Sequence, residues 1–201
     1  MFYYKESATM RMKSLIISTL LAAPLAAQTT QPARGEPTAS FVSGPEAGEM
    51  ALEFTLPWAT RDSIGPASAP LRLGHLRGKV VVLAFYPRDY TSGCTAEMRT
   101  FTDQYDLLFG EGVEVLGISV DSLQTHVGFA ASLKLPFKLL SDPDQSVARR
   151  YGSNGSQGSM RRTVYVIDRE GRVTYRNLRF GALDQRSYDE LKAAVREARG
   201  T

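Results

Sequence analysis

The chain of 201 residues contains one cysteine, Cys94, and the residues around it suit a reactive thiol. An apolar run at 79–86 predicts a buried strand, and Pro87 and Thr91 lie between that strand and the cysteine. From Cys94 onward apolar residues recur every three or four positions, which predicts a helix. A thiol at the start of a helix faces unpaired backbone N–H groups and the positive end of the helix dipole. This position favours the thiolate, which is the nucleophilic form of cysteine.

A lone cysteine also has a second interpretation, because a buried and inert cysteine can pack as a small apolar side chain. One cysteine cannot form an intramolecular disulfide, so in an exported protein it is a free thiol or an intermolecular link. The histidines His75 and His126 lie in no motif that would activate a thiol. We expect both histidines at the surface, and the cysteine and histidine spacing predicts no metal site.

The N-terminal segment predicts export. Lys13 precedes the apolar stretch 15–23, and small residues up to Ala27 follow it. This order is typical of a secretory signal peptide over residues 1–27, after which residues 28–49 read as a flexible linker. The apolar stretch is too short for a convincing membrane span, and no cysteine after it could carry a lipid. We therefore expect a periplasmic or secreted protein with no membrane anchor.

The charge of the mature chain gives no reason to expect nucleic acid or a membrane surface as a partner. Of the 24 basic and 21 acidic residues, three basic and one acidic residue lie in the predicted signal peptide. The remaining net charge of +1 is too small for electrostatic binding of a polyanion. Residues 50–201 are enough for one domain with an adequate core.

The predicted elements alternate between strands and helices. Strands are predicted at residues 53–56, 71–73, 79–86, 113–120, 137–140, 163–167 and 173–176. Helices are predicted at residues 94–109, 121–133, 142–151 and 188–198. Such an order indicates an α/β domain whose mostly parallel sheet gains antiparallel strands from the last hairpin. Ligands of these sheets bind at the carboxyl ends of the strands, where Cys94 lies.

Several short segments of the sequence occur together in a characteristic order. They are Phe54–Pro57, Phe85–Pro87, Gly93–Glu97, Leu116–Ser119, Leu139–Asp142, and Arg162–Thr163 before Val166–Asp168. This set resembles the peroxiredoxins of the AhpC/TSA superfamily, and most closely the branch of bacterioferritin comigratory protein, also called peroxiredoxin Q. The resemblance implies a thioredoxin-like fold, with a central mixed sheet and helices on both faces. It implies no cofactor and no metal.

The resemblance also assigns roles to five residues. Cys94 would attack a peroxide and become a sulfenic acid, while Arg162 would stabilise the thiolate and hold the peroxide oxygens. Thr91 would hydrogen-bond the sulfur and the peroxide. Pro87 would shield the site, and Glu97 would orient Arg162.

Each of the supporting residues has a plainer interpretation. Pro87 could simply end a strand, and Thr91 could be an ordinary helix N-cap. Glu97 could be a solvated carboxylate that complements the helix dipole. Arg161 competes with Arg162, and we prefer Arg162 because the arginine of the family directly precedes the strand.

The sequence departs from the branch at Arg99, where many members carry a second, resolving cysteine. The resemblance then implies a one-cysteine mechanism, in which a thioredoxin-like protein or a small thiol reduces the sulfenic acid. The expected function is a thiol-dependent peroxidase acting on hydrogen peroxide and organic hydroperoxides, as a monomer or a homodimer. The alternatives are a non-catalytic binding module with this fold and an oxidation sensor that forms a mixed disulfide through Cys94.

Overall fold

The computed structural model describes residues 43–155 and 159–200, so the predicted signal peptide and the predicted linker up to residue 42 lie outside the described residues. The strands are β1 Thr55–Leu56, β2 Trp58–Ala59, β3 Leu71–Arg72, β4 Val80–Phe85, β5 Val113–Ser119, β6 Lys138–Ser141, β7 Thr163–Ile167 and β8 Val173–Asn177. The helices are α1 Ser92–Asp103, α2 Tyr105–Leu108, α3 Leu123–Leu133, α4 Ser146–Arg150 and α5 Gln185–Arg199. Within these two ranges, no helix is long and apolar enough to cross a membrane.

A six-stranded sheet forms the centre, in the order β2–β6–β5–β4–β7–β8. The three central strands β4, β5 and β6 run parallel, whereas β2, β7 and β8 each pair antiparallel with their neighbours. All six residues of β4 are buried, as expected for a parallel strand covered on both faces. The predicted mixed α/β sheet is confirmed.

The two faces of the sheet carry separate apolar cores. On one face, Val80, Val82 and Ala84 of β4 belong to a core that includes buried residues of α1, α3 and α5. On the other face, Val81 and Leu83 belong to a core with α4 and the small β1–β3 sheet. Helices therefore lie on both faces, and Cys94 belongs to the first core.

One predicted helix is divided in the structure, and one short strand of the structure was not predicted. The single helix predicted at 94–109 is two helices, because Gln104 leaves the helical region with φ of −113° and ψ of 22°. The first helix starts at Ser92, so Cys94 is its third residue instead of its first. The short strand β2 was not predicted, and it pairs with β6 at the edge of the sheet.

The predicted linker is wrong over residues 43–49, which are bonded to the domain. The N–H of Gly48 donates to the carbonyl of Val173 at 2.8 Å, and the N–H of Val173 donates to Glu49 at 2.9 Å. The Arg176 side chain donates to the carbonyl of Ser43 at 2.9 Å. The strand β8 lies at the sheet edge, and its unpaired backbone groups bind this segment despite its low content of apolar residues.

We predict that Phe101→Ala destabilises the protein by about 3–5 kcal/mol, the range for removing a buried aromatic ring. Phe101 is fully buried on α1, and its ring makes edge contacts with Phe109 at 5.3 Å and Tyr188 at 6.0 Å. Urea unfolding would measure the loss. Leu107→Ala is the matched control, because Leu107 is 57% exposed and its truncation should cost less than about 0.5 kcal/mol. Equal losses for the two variants would contradict the prediction.

Candidate active site

Cys94 lies in the first turn of α1, close to the end of β4. Thr91 is the N-cap, and its carbonyl accepts the first helical hydrogen bond from the N–H of Thr95 at 2.8 Å. The N–H groups that precede Thr95 have no carbonyl partner one turn back within the helix. The Cys94 side chain is a free thiol and is fully buried. The sulfur is therefore placed at the positive end of the helix dipole and is shielded from solvent.

Arg162 provides a positive charge at this sulfur. It directly precedes β7, which pairs antiparallel with β4 so that Thr163 lies opposite Phe85, the last residue of β4. The start of β7 therefore lies beside the end of β4, and from that end the chain continues through a loop into α1. The Nη2 atom of Arg162 donates to Sγ of Cys94 at 3.5 Å. Gly93 leaves room for the guanidinium, since a Cβ at that position would lie 3.1 Å from Nη2.

Glu97 holds the other side of the same guanidinium. It lies three residues after Cys94 on α1, its side chain is fully buried, and Oε2 accepts a hydrogen bond from Nη1 of Arg162. Arg162 therefore bridges the buried thiol and the buried carboxylate. Oε1 of Glu97 has no hydrogen-bond partner within the part of the chain that the structure describes.

The burial of Glu97 changes its acidity. Burial raises the pKa of Glu97 from 4.5 to about 7, and the nearby Arg162 only partly opposes this change. Burial alone would lower the pKa of Arg162, but Glu97 and then Cys94 outweigh it and the net change is upward. The guanidinium is therefore charged throughout the ordinary pH range, and Glu97 exchanges a proton near neutrality.

Thr91 and Pro87 lie in the loop between β4 and α1. The Thr91 hydroxyl donates to the carbonyl of Arg88 at 2.9 Å, so its oxygen can act toward Cys94 only as an acceptor. The bond from Thr91 to the sulfur and to a peroxide stays a prediction. Pro87 is half-buried directly after β4, and its shielding role also stays a prediction.

Of the two adjacent arginines, the structure brings Arg162 to the sulfur. Arg161 is exposed, and its main chain is bonded instead to Ser153.

The prediction that His126 lies at the surface is wrong, whereas His75 is exposed as expected. His126 is fully buried, because it shares the inner face of α3 with Phe129 and Ala130. The spacing of these three residues could have predicted this burial. Its Nδ1 lies 2.8 Å from Oδ2 of Asp89, a residue of the loop before α1 that sequence reasoning also missed.

The comparison with known proteins places this site in a family. The AhpC/TSA family matches residues 47–176. The bcp peroxiredoxin of Coxiella burnetii is 40% identical over 136 residues, which cover 64% of this chain and 85% of that protein. The chain belongs to the AhpC/TSA family. It is a peroxiredoxin, and its activity class is that of a thiol peroxidase with a peroxide substrate and a thiol reductant.

Further relatives agree with the branch expected from the sequence. The chloroplastic peroxiredoxin Q of Sedum lineare is 40% identical over 119 residues, or 58% of this chain and 62% of that protein. The crystal structure of peroxidoxin BcpB from Mycobacterium tuberculosis is 31% identical, with a TM-score of 0.64 over 76% of this peroxiredoxin and 97% of that chain. The recognition of the branch and of the thioredoxin-like fold is therefore confirmed.

We predict that Glu97 makes this peroxiredoxin less stable as the pH rises from 4.5 to about 7. The folded state retains a proton on Glu97 that the unfolded chain has already released in this window, so raising the pH favours unfolding. The difference corresponds to roughly 3–4 kcal/mol over the window. Urea unfolding of wild type and of Glu97→Gln at several pH values would show the gap between them shrinking or reversing as the pH rises.

The control for this prediction is Glu111→Gln, which changes an exposed carboxylate of the same type. Its stability should follow that of wild type at every pH. Parallel curves for wild type and Glu97→Gln would mean that Glu97 titrates alike in the folded and unfolded chains, and the prediction would be wrong.

Proposed function

We propose that this peroxiredoxin reduces hydrogen peroxide and organic hydroperoxides through a sulfenic acid on Cys94, with external thiols as the reductant. The observation that carries the proposal is the contact of Arg162 Nη2 with Sγ of Cys94, with Glu97 bound to the other amino group of the same guanidinium. A non-catalytic module with this fold needs neither a buried thiol at a helix start nor a charged partner for it. The same constellation suits attack by a thiolate.

The oxidation step transfers one oxygen atom. The Cys94 thiolate attacks the terminal oxygen of ROOH, the O–O bond breaks, and the products are the Cys94 sulfenic acid and the alkoxide RO⁻, which takes a proton from solvent to give ROH. Negative charge moves from sulfur to the leaving oxygen during this step. The Arg162 guanidinium, with donors on two nitrogens, can stabilise both positions of that charge.

The return to the thiol consumes two external thiols. The first thiol displaces water from the sulfenic acid and forms a mixed disulfide with Cys94, and the second releases the Cys94 thiol and leaves the reductant as a disulfide. Cys94 is the only cysteine of the sequence, so no intramolecular disulfide can replace the first of these steps. A thioredoxin-like protein or a small thiol supplies the reducing equivalents.

We predict that reduced full-length protein reacts with hydrogen peroxide orders of magnitude faster than free cysteine, and that Arg162→Ala slows the reaction by about 100-fold or more. Stopped-flow mixing would give the rate, and mass spectrometry would find one added oxygen on Cys94. Arg161→Ala is the matched control and should react at the wild-type rate. A wild-type rate equal to that of free cysteine, with both hydrogen peroxide and an alkyl hydroperoxide, would favour the binding module.

We further propose that the protein is exported to the periplasm or secreted. The support is the sequence alone, in which Lys13, the apolar stretch 15–23 and the small residues up to Ala27 follow the order of a signal peptide. A single cysteine also suits an oxidising compartment, where a second cysteine could become locked in a disulfide with the first.

We predict that the full chain, produced in a Gram-negative host, is recovered from the periplasmic fraction with Gln28 as its first residue. The same chain without residues 1–27 should remain in the cytoplasmic fraction, since it lacks the apolar stretch that directs export. Fractionation and N-terminal sequencing would measure both. Full chain that is retained in the cytoplasm with an intact N-terminus would contradict export.

A further inference from the structure

The burial of Cys94 sets a requirement that the catalytic residues alone do not meet. The Cys94 side chain is completely buried. A peroxide is small, but a reducing thiol must bring its sulfur to within bonding distance of the Cys94 sulfur. The loop 87–91 and the first turn of α1 must therefore move for reduction and return for the next oxidation. Whatever holds this loop in place influences both half-reactions.

The loop is held through Asp89, whose side chain is fully buried. The Tyr86 hydroxyl donates to Oδ1 of Asp89 at 2.7 Å, and Nδ1 of His126 lies 2.8 Å from Oδ2. The main-chain N–H of Asp89 donates to a carboxylate oxygen of Asp121 at 2.8 Å. Burial, followed by the Asp89 charge, raises the pKa of Tyr86 well above its usual value, so this hydroxyl keeps the proton that it donates.

His126 connects this carboxylate to the central sheet. Its Nε2 lies 3.2 Å from the carbonyl oxygen of Leu140 on β6, while Nδ1 faces Asp89. Both ring nitrogens thus lie within hydrogen-bonding distance of an oxygen atom, one on the loop and one on the sheet. The pair joins the loop to α3 and, through the carbonyl of Leu140, to β6 of the central sheet.

A second contact joins the same loop to the same helix. Tyr90 has a φ of +59°, a conformation that non-glycine residues seldom adopt and that neighbouring contacts must maintain. Its ring packs edge-on against Phe129 with 5.0 Å between centroids, and Phe129 lies three residues after His126 on α3. Asp89 and Tyr90 are neighbours in the loop. They contact His126 and Phe129, which lie one turn apart on the inner side of α3.

We propose that His126 is a positioning residue, and that the Asp89–His126 pair holds loop 87–91 closed around Cys94 and must separate before a thiol can reach the sulfenic acid. This inference rests on the proposed function and deepens it. The closed loop fixes Pro87, Thr91 and the start of α1 for attack on peroxide. Weakening the pair therefore slows oxidation of Cys94 and speeds reduction of its sulfenic acid.

Two substitutions of His126 separate its two contacts. In His126→Asn the amide nitrogen can take the place of Nδ1, so the contact with Asp89 is kept and that with Leu140 is lost. In His126→Gln the amide reaches the place of Nε2, so the contact with Leu140 is kept and Oδ2 of Asp89 loses the contact with the ring. Asp89→Asn keeps the size of the loop side chain and removes its charge. His75→Gln is the matched control, because His75 is exposed.

Three rates would be measured for each variant: alkylation of Cys94 by iodoacetamide, oxidation by hydrogen peroxide, and reduction of the sulfenic acid by dithiothreitol. In His126→Gln and Asp89→Asn we expect alkylation and reduction to become about tenfold faster and oxidation about tenfold slower, the effect of one lost hydrogen bond to a charged group. His126→Asn and His75→Gln should stay near wild type. The faster alkylation should not change in low urea, since local opening exposes little surface.

The outcomes distinguish this inference from the proposed function. Unchanged alkylation in folded His126→Gln and Asp89→Asn, or alkylation that rises steeply with low urea, would overturn the role of the pair, because the second result indicates global destabilisation. Equal effects of His126→Asn and His126→Gln would overturn it as well. Faster alkylation of these variants with a wild type that does not react with peroxide would support the pair and refute the proposed peroxidase.

Discussion

The site depends on one guanidinium that is shared between a buried thiol and a buried carboxylate. Arg162 keeps its charge because Glu97 compensates it, and Glu97 tolerates complete burial because Arg162 binds one of its oxygens. Removing either residue leaves a charge near the sulfur without its partner, and an uncompensated buried charge is among the most destabilising defects in a protein. The charged guanidinium beside the sulfur is therefore maintained by Cys94, Arg162 and Glu97 together.

Sheet topology explains how residues so far apart in sequence meet. Cys94 and Arg162 are separated by 68 positions, yet β4 and β7 are direct neighbours and run antiparallel. The last residue of β4 and the first residue of β7 consequently lie at the same end of the sheet. The parallel strand β5 on the other side of β4 ends there too, and it leads to Asp121, which binds the loop before α1. Residues at or just beyond the ends of β4, β5 and β7 therefore contribute to the surroundings of the Cys94 sulfur.

Much of the fold could be predicted because its signals are local. The apolar runs of β4 and β5 and the helical spacing after Cys94 depend only on neighbours in sequence. The contact between Arg162 and Cys94 is not local, and only the ordered motifs of the family predicted it. The break at Gln104 has no glycine or proline to signal it, and β2 is too short for a pattern of alternation.

His126 shows how a polar residue can mislead when it is judged by its type. A buried histidine needs polar partners, and those partners were a loop carboxylate 37 positions away and a main-chain carbonyl of β6. Neither partner can be recognised without the fold. Its position on the inner face of α3, three residues before Phe129, was the one sequence signal that favoured burial.

The segment 43–49 has a consequence for the way this chain can be shortened. Its main chain, continued by Ala51, is paired with residues at the start of β8, and its carbonyls receive the Arg176 side chain. A protease or a cloning boundary that removed it would uncover an outer strand of the sheet, and an uncovered outer strand is a template for pairing with another molecule. We therefore expect a chain that lacks residues 43–49 to associate with itself more readily than a chain that retains them.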